Sequence, residues 1–159
     1  MRKRESIKEF ERAEYARLLA NCGTFPRSAV VKPSYSDNTA NGLTRLILAY
    51  CRAKGWHAER INTTGRPIDR RRTVTDITGA RRTIGSIQYI PTAGTRGSAD
   101  IHILAAGLAL FVEVKAGRDR QREAQREYQR QVEQAGGVYI ITHNFDDFCE
   151  QVAEATRPR

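Results

Sequence analysis

Three charged residues lie in and beside two apolar runs of the stretch GSADIHILAAGLALFVEVKAG, which extends from Gly97 to Gly117. Asp100 precedes the first run, and Glu113 and Lys115 interrupt the end of the second. Two carboxylates can supply hard oxygen ligands for a divalent cation such as Mg²⁺, and a lysine beside them can position or polarise a water molecule. A buried or edge ion pair of Lys115 with either carboxylate explains the same pattern. Spacing alone leaves both interpretations open.

A β-hairpin is the element that must position these charges. The segments ADIHIL and LALFVEVK flank the short turn AAG, which predicts two antiparallel strands. Side chains alternate between the two faces of a strand, so Glu113 and Lys115 are expected on one face, with Val112 and Val114 on the other. Asp100, at the start of the partner strand, can reach the face of Glu113.

The segments around this hairpin predict an α/β protein. The pattern begins with an amphipathic helix over 5–19, which a proline-containing extended segment follows. We therefore divide the chain into an N-terminal helix and arm, 1–35, and a compact domain, 36–155. The elements predicted in the compact domain are a helix over 39–54, a strand over 56–62, short glycine-punctuated strands over 63–96, a charged helix over 118–137, a strand over 138–143 and a helix over 144–156 capped by Asn144.

The composition favours an anionic partner. The 159 residues include 27 Lys plus Arg against 18 Asp plus Glu, which gives a net charge of +9. Nucleic acid is one such partner, although basic ribosomal and membrane-surface proteins share this balance. The three cysteines have neither zinc-site nor disulfide spacing, and no apolar run reaches the roughly 18 residues of a membrane span. We therefore expect a soluble cytoplasmic protein that does not interact with membranes.

Arginines concentrate in the glycine-punctuated region. The segment DITGARRTI predicts a hairpin turn around Gly79, and only Asp69 and Asp76 oppose the positive charge there. A solvated charged face would explain this composition, but we favour a hairpin that contacts phosphates. The arginines expected at phosphates are those of this region, Arg66, Arg70, Arg71, Arg72, Arg81, Arg82 and Arg96, together with Arg60 on the preceding strand.

The order of motifs resembles a known family of nucleases. SAD at 98–100 followed by EVK at 113–115 is similar to the D…(D/E)XK signature of the PD-(D/E)XK nuclease superfamily, and most similar to its VRR-NUC branch. In that branch EVK precedes a helix with a glutamine, a glycine pair and an apolar strand, which correspond here to Gln125, Gly136, Gly137 and VYIITH. Arg60 and Asn62 match a further pair on an earlier strand, so the resemblance covers most of the chain.

The resemblance implies a fold, a reaction and roles for particular residues. The fold would be a restriction-endonuclease-like three-layer core, with a mixed central β-sheet flanked by helices, preceded by an N-terminal helical arm. Asp100, Glu113 and the Val114 carbonyl would bind Mg²⁺ or Mn²⁺, Lys115 would be the catalytic lysine, and Gln125 would reach the site from its helix. The reaction would be hydrolysis of DNA phosphodiester bonds, with branched or junction DNA as candidate substrates. A homodimer and a phage or mobile-element setting are compatible with a small standalone domain of this kind.

The first helix departs from the family pattern. Many relatives have a glutamate there, whereas NTANGLTRLI places Asn38 or Asn41 at the comparable position. An amide adds no charge to a metal site, which argues against two-metal chemistry. Two alternatives to a nuclease therefore stay open: a DNA-binding module that keeps the nuclease fold with weak or no activity, and a basic structural or ribonucleoprotein factor with an incidental ion pair.

Overall fold

The computed structural model describes residues 3–61, 65–90, 94–115, 117 and 119–157. Asn62, one of the residues matched by the family resemblance, lies outside them. The chain forms two compact units, one of Met1–Ile61 with Gly97–Arg159 and one of Asn62–Arg96. The division drawn from the sequence, into 1–35 and 36–155, has its boundary at a different place in the chain.

The larger unit contains four helices and four strands within the described residues, and the smaller unit contains four short strands. In chain order these elements are α1 (Glu5–Ala20), α2 (Ala40–Ala53), β1 (His57–Arg60), β2 (Arg66–Asp69), β3 (Arg72–Thr75), β4 (Arg81–Ile84), β5 (Ile87–Ile90), β6 (Ile101–Ala105), β7 (Leu108–Val114), α3 (Glu123–Gln134), β8 (Val138–Thr142) and α4 (Phe145–Ala155). A turn of 3₁₀ helix at Arg27–Ala29 interrupts the extended segment after α1.

A mixed four-stranded sheet with the order β1-β6-β7-β8 forms the centre of the larger unit. β6 is antiparallel to both β1 and β7, and β8 is parallel to β7. The β6–β7 turn is closed by Ala106 and Gly107, with φ values of 51° and 78°. Two successive left-handed residues match the twist of a two-residue hairpin, which confirms the hairpin predicted from the sequence. The expected mixed α/β architecture, with helices flanking the sheet, is confirmed.

The two faces of this sheet carry different side chains. One face is mostly apolar and packs against α1, α2 and α4, whose buried residues include Ile7, Leu46 and Phe148. The other face carries Phe111, which lies close to Val132 of α3 near Gly137. Because side chains alternate along β7, Glu113 lies on the α3 side of the sheet, away from the main core.

Local capping explains where two of the helices begin. The side chains of Thr39 and Asn144 accept hydrogen bonds from the backbone of Gly42 and Asp147, at the starts of α2 and α4. The predicted helix over 118–137 is shorter than expected, because residues 119–122 are not helical and α3 begins at Glu123. No helix in the described part of the chain is long and apolar enough to cross a membrane.

The smaller unit contains the predicted arginine-rich hairpin. β3 and β4 pair antiparallel around a turn in which Gly79 has a φ of 86°, and β2 and β5 form a second antiparallel pair. Nearly all of their side chains are exposed.

Replacing Ile7 with alanine tests whether α1 belongs to the core of the larger unit. Ile7 is fully buried, so we expect Ile7→Ala to lower the free energy of unfolding by about 2–5 kcal/mol in denaturant titrations. Val31→Ala is the control, because Val31 is 82% exposed and its truncation should change stability by less than about 0.5 kcal/mol. Equal effects of the two variants would show that α1 is not docked in solution.

Candidate functional site

The β6–β7 hairpin brings Asp100, Glu113 and Lys115 together, as their spacing predicted. Asp100 directly precedes β6, and its Oδ2 accepts a hydrogen bond of 3.0 Å from the backbone N–H of Val114. Lys115 Nζ lies 3.0 Å from Glu113 Oε1, and both side chains are almost completely buried. The structure therefore contains the ion pair that was one of the two interpretations of this pattern, and it places Asp100 beside that pair.

Gln125 links the two buried charges. From the first turn of α3 its Oε1 accepts hydrogen bonds from Lys115 Nζ at 2.9 Å and from the backbone N–H of Arg122 at 2.9 Å. Its Nε2 donates a short hydrogen bond to Glu113 Oε1. One amide thus holds both members of the ion pair and also caps its own helix. The structure places Gln125 at the same cluster as the three charged residues.

A close backbone contact sets the position of α3 relative to Asp100. Gly97, three residues before Asp100, has a φ of +85°, a conformation that residues with side chains rarely adopt. A Cβ atom at this position would lie 2.2 Å from the carbonyl oxygen of Ala124. The loop before Asp100 therefore touches the residue that precedes Gln125, so Asp100 and Gln125 are held by one backbone contact.

Glu113 is in an electrostatically unusual position. Burial raises its pKa and the nearby Asp100 carboxylate raises it further, whereas hydrogen bonds from Lys115 and Gln125 act in the opposite direction. Its Oε1 has two partners, but its Oε2 is buried without a hydrogen-bond partner among the residues that the structure describes. A buried carboxylate oxygen without a partner is costly, so a cation or a water molecule that contacts Oε2 would relieve this cost.

The donor set fits one divalent cation with few protein ligands. The oxygens of Asp100 and Glu113 belong to the hard class that Mg²⁺ and Mn²⁺ prefer, and the unpartnered Glu113 Oε2 supplies one of them. Among the described residues no group of three or more His, Cys, Asp or Glu side chains could hold a metal. A cation here would therefore depend on two carboxylates, a backbone carbonyl such as that of Val114, and water.

Two further residues at the cluster were missed by the sequence analysis. The Tyr139 hydroxyl is buried, and burial together with the charges of Glu113 and Asp100 raises its pKa, an effect that the Gln121 side chain opposes. Asp119 Oδ2 lies 3.4 Å from Lys115 Nζ. Tyr139 reaches the cluster because β8 pairs in parallel with β7. This register places Tyr139 beside Phe111, which lies on the same face of the sheet as Glu113.

His102 lies on the same face of the sheet as Asp100, because residues 100 and 102 are two apart in an extended segment. It pairs with Phe111 across β6 and β7, and the centroids of their rings are 4.6 Å apart. Its Nε2 lies 3.4 Å from the Tyr128 hydroxyl on α3. These contacts indicate a packing role for the ring.

Arg60 forms a hydrogen bond with Asn41, the asparagine at the start of α2. Asn41 lies in the first turn of α2, and its Oδ1 accepts a hydrogen bond of 2.9 Å from Arg60 Nη2. Ile61, the residue after Arg60, donates its backbone N–H to the Asp100 carbonyl at 2.8 Å. The structure therefore places Arg60 one residue from a backbone contact with Asp100, with its guanidinium bound to Asn41.

The remaining predicted DNA-contacting arginines lie in the smaller unit. Their side chains are exposed, and Arg71 forms an ion pair of 2.7 Å with Asp69. This ion pair lowers the pKa of Asp69 to about 2. The exposed members of this set are Arg66, Arg70, Arg71, Arg72, Arg81, Arg82 and Arg96.

A separate cavity lies within the larger unit. It has a volume of about 450 Å³, and its lining includes the aromatic side chains of Phe10, Tyr50 and Phe145. Neither Asp100, Glu113, Lys115 nor Gln125 lines it. The cavity therefore does not belong to the charged cluster.

Comparisons of the chain with protein-family models, with curated proteins and with solved structures found no match.

Replacing the ion pair distinguishes a structural role from a functional one. Lys115→Met alone leaves the Glu113 charge buried without its cation, and we expect it to lower stability by about 3–5 kcal/mol. The double variant Glu113→Leu with Lys115→Met should be neutral or more stable than wild type by about 1–4 kcal/mol, because two desolvated charges are removed together. Chemical denaturation measures both values. A double variant less stable than the single one would indicate that the fold needs the pair.

Proposed function

We propose that this protein is a metal-dependent endonuclease that hydrolyses DNA phosphodiester bonds. The observation that carries the proposal is the buried, unpartnered Glu113 Oε2, in a cluster that also contains Asp100, Lys115 and Gln125. A purely structural ion pair has no use for a second carboxylate nearby or for a carboxylate oxygen without a partner. The net charge of +9 and the exposed arginines support a nucleic-acid substrate.

Asp100, Glu113 and the Val114 carbonyl would hold Mg²⁺ or Mn²⁺. When bound, such a cation supplies Lewis-acid stabilisation of phosphate charge and lowers the pKa of a coordinated water. Asp100 is well suited to this role because its Oδ2 is fixed by the Val114 backbone N–H, which orients the carboxylate without neutralising it.

The raised pKa of Glu113 affects how the activity depends on pH. Because a ligand must be ionised, we infer that activity falls on acidification at a higher pH than an ordinary glutamate would give.

Lys115 would stabilise the negative charge that develops on the phosphate. Three oxygens hold its amine: Glu113 Oε1 at 3.0 Å, Gln125 Oε1 at 2.9 Å and Asp119 Oδ2 at 3.4 Å. A cation fixed in advance needs little rearrangement when charge develops, which is how preorganised groups lower a barrier. Gln125 acts as a positioning residue, since it contacts both Lys115 and Glu113.

Arginines of the smaller unit would contact phosphates along the DNA. Their guanidinium groups are exposed, and such contacts supply affinity without reading sequence. Branched or junction DNA is the substrate form we favour, and a homodimer would provide two sites for two strands.

The second candidate is a DNA-binding module that keeps a nuclease-like fold without efficient catalysis. The observation that favours it is Asn41, which stands at the first-helix position and is bound to Arg60. With no acid at this position the metal site has two carboxylates, and a weakly bound cation would leave DNA binding as the main activity.

Conservative changes in the cluster should separate these two functions. We expect Glu113→Gln and Lys115→Ala each to reduce the cleavage rate by about 10²-fold or more, because each removes a charge that the reaction needs. DNA affinity measured without metal should change less than about threefold, because the arginines supply it. The assay uses labelled linear, flap and four-way-junction DNA with Mg²⁺ or Mn²⁺.

The control for this assay is Glu127→Gln, which removes an exposed carboxylate of α3 outside the cluster and should retain the activity. Calorimetry with Mn²⁺ adds an independent measurement, and Asp100→Ala should abolish the heat of binding. Wild-type cleavage by Glu113→Gln or Lys115→Ala would exclude this cluster as the active site. Metal and DNA binding without cleavage of any substrate would favour the second candidate.

Salt dependence should identify the arginines that touch phosphates. Replacing Arg70, Arg71 and Arg72 with alanine should flatten the slope of log affinity against log salt concentration by roughly two to three units, at about 0.9 per phosphate contact. A matched control replaces Arg12, Arg130 and Arg157, which are about 70% exposed and change the net charge equally. Equal slopes for the two triple variants would show that the effect is only net charge.

A further inference from the structure

The two strand pairs of the smaller unit form one continuous arm. Arg66 pairs with Ile90 and Asp69 with Ile87, and the same register continues from Arg72 with Ile84 to Thr75 with Arg81, so no residue is inserted in either strand. Between the two pairs, Arg70 donates its backbone N–H to the Ser86 carbonyl at 3.2 Å. The arm therefore runs over 66–75 and 81–90. At about 3.4 Å per residue it is roughly 34 Å long.

This arm has almost no core of its own. Within its strands only Ile68, Val74 and Ile84 are half-buried, and all other side chains are exposed. Tyr89 and Ile87 are 68% and 51% exposed. An isolated two-stranded ribbon is at best marginally stable in water, so an arm of this length is typical of a segment that packs against a partner.

The charge of the arm selects the class of that partner. Residues 65–90 contain six arginines and two aspartates. Asp69 is neutralised by Arg71, and Asp76 is engaged within the turn. Two such arms would repel each other, which argues against exchange of arms between copies of this chain. A polyanion whose charges are spaced along a groove complements the arm.

The tip of the arm presents one apolar side chain in a rigid turn. Asp76 Oδ1 accepts hydrogen bonds from the backbone N–H groups of Thr78 and Ala80 at 2.8 and 3.1 Å, and from the Thr78 hydroxyl at 2.6 Å. Ile77, between Asp76 and Thr78, is completely exposed. Contact with an apolar surface of the partner would bury this isoleucine at the end of an arginine-rich ribbon and so stabilise the complex.

We propose that the arm lies along the minor groove of duplex DNA and that Ile77 inserts between adjacent base pairs, which unstacks them and kinks the duplex. The proposal rests on the proposed function only in taking DNA as the substrate class. Apolar wedges that enter a base step from the minor groove kink DNA in this way, and arginines favour the negative potential of a narrow minor groove. An arm of roughly 34 Å spans about one helical turn.

This arrangement gives the protein a basis for selecting its substrate. Inserting a wedge requires unstacking, which is easiest at flexible pyrimidine–purine steps and at nicked, mismatched or branched positions. The arm would therefore favour deformable DNA.

The test measures bending and unstacking with the full-length protein in EDTA, so that cleavage does not interfere. The duplex has about 30 base pairs, a central TA step with 2-aminopurine as the adenine, and a fluorescence-transfer pair at its ends. Wild-type protein should raise both the 2-aminopurine fluorescence and the transfer efficiency. Ile77→Ser should abolish both increases and weaken binding roughly tenfold, with an unchanged salt slope. Ile77→Leu should retain the bend.

Val31→Ser is the matched control, because Val31 is also an exposed aliphatic residue, at 82%, but lies outside the arm. It should behave as wild type. Normal bending by Ile77→Ser, an unbent duplex with wild-type protein, or tighter binding to an RNA duplex of the same sequence would overturn the proposal. A minor-groove ligand such as netropsin should compete with the arm, and failure to compete would exclude the minor groove.

The two proposals fail in different ways. DNA that is bent by wild-type protein but never cut with Mg²⁺ or Mn²⁺ would contradict the nuclease and leave the wedge intact. DNA that is cut normally but never bent would contradict the wedge and leave the nuclease intact. Glu113→Gln should lose cleavage and keep the bend.

Discussion

The desolvated pair of Glu113 and Lys115 is the interaction on which the larger unit's candidate site depends. Both charges lie on the α3 side of the central sheet with only 3% of each residue exposed. Neither could remain there alone, because an unpaired buried charge is far more costly than a paired one. Their pairing constrains the neighbouring elements, since Gln125 must approach from α3 to complete the hydrogen bonds, and α3 must start where that amide can reach.

The cluster is more polar than stability requires. A buried ion pair that served packing alone would be complete with good geometry and satisfied oxygens. Here one oxygen of the Glu113 carboxylate is buried without a hydrogen-bond partner among the described residues, beside a second carboxylate. Unsatisfied groups of this kind are rare in well-packed proteins, and they concentrate where a ligand or a reaction uses them. This concentration is the physical basis for treating the cluster as a functional site.

Strand alternation and turn chemistry made most of the site predictable. The AAG turn and the apolar runs on either side of it indicated the β6–β7 hairpin, and the period of two then placed Glu113 and Lys115 on one face. Tyr139 and Asp119 were not predictable in the same way, because their positions depend on the parallel register of β8 and on the non-helical residues before α3.

Helical periodicity extended α3 too far for a related reason. Charged residues continue past its true start, and the hydrogen bond from the Arg122 backbone to the Gln125 side chain marks the boundary. The arginine-rich region showed its turn in the sequence, but the shared register that joins its strands into one arm became visible only in the pairing.

The contact between Gly97 and Ala124 bears on the order in which the chain folds. The β6–β7 hairpin joins residues close in sequence, so its two carboxylates can come together early while still hydrated. The parallel pairing of β8 with β7 has to wait for the crossover through α3, and only then does the start of that helix close over Gly97. On this topology we expect water to leave Glu113 and Lys115 late, once Gln125 can replace it. If the polar cluster forms in the final step of folding, changes within it should accelerate unfolding much more than they slow folding.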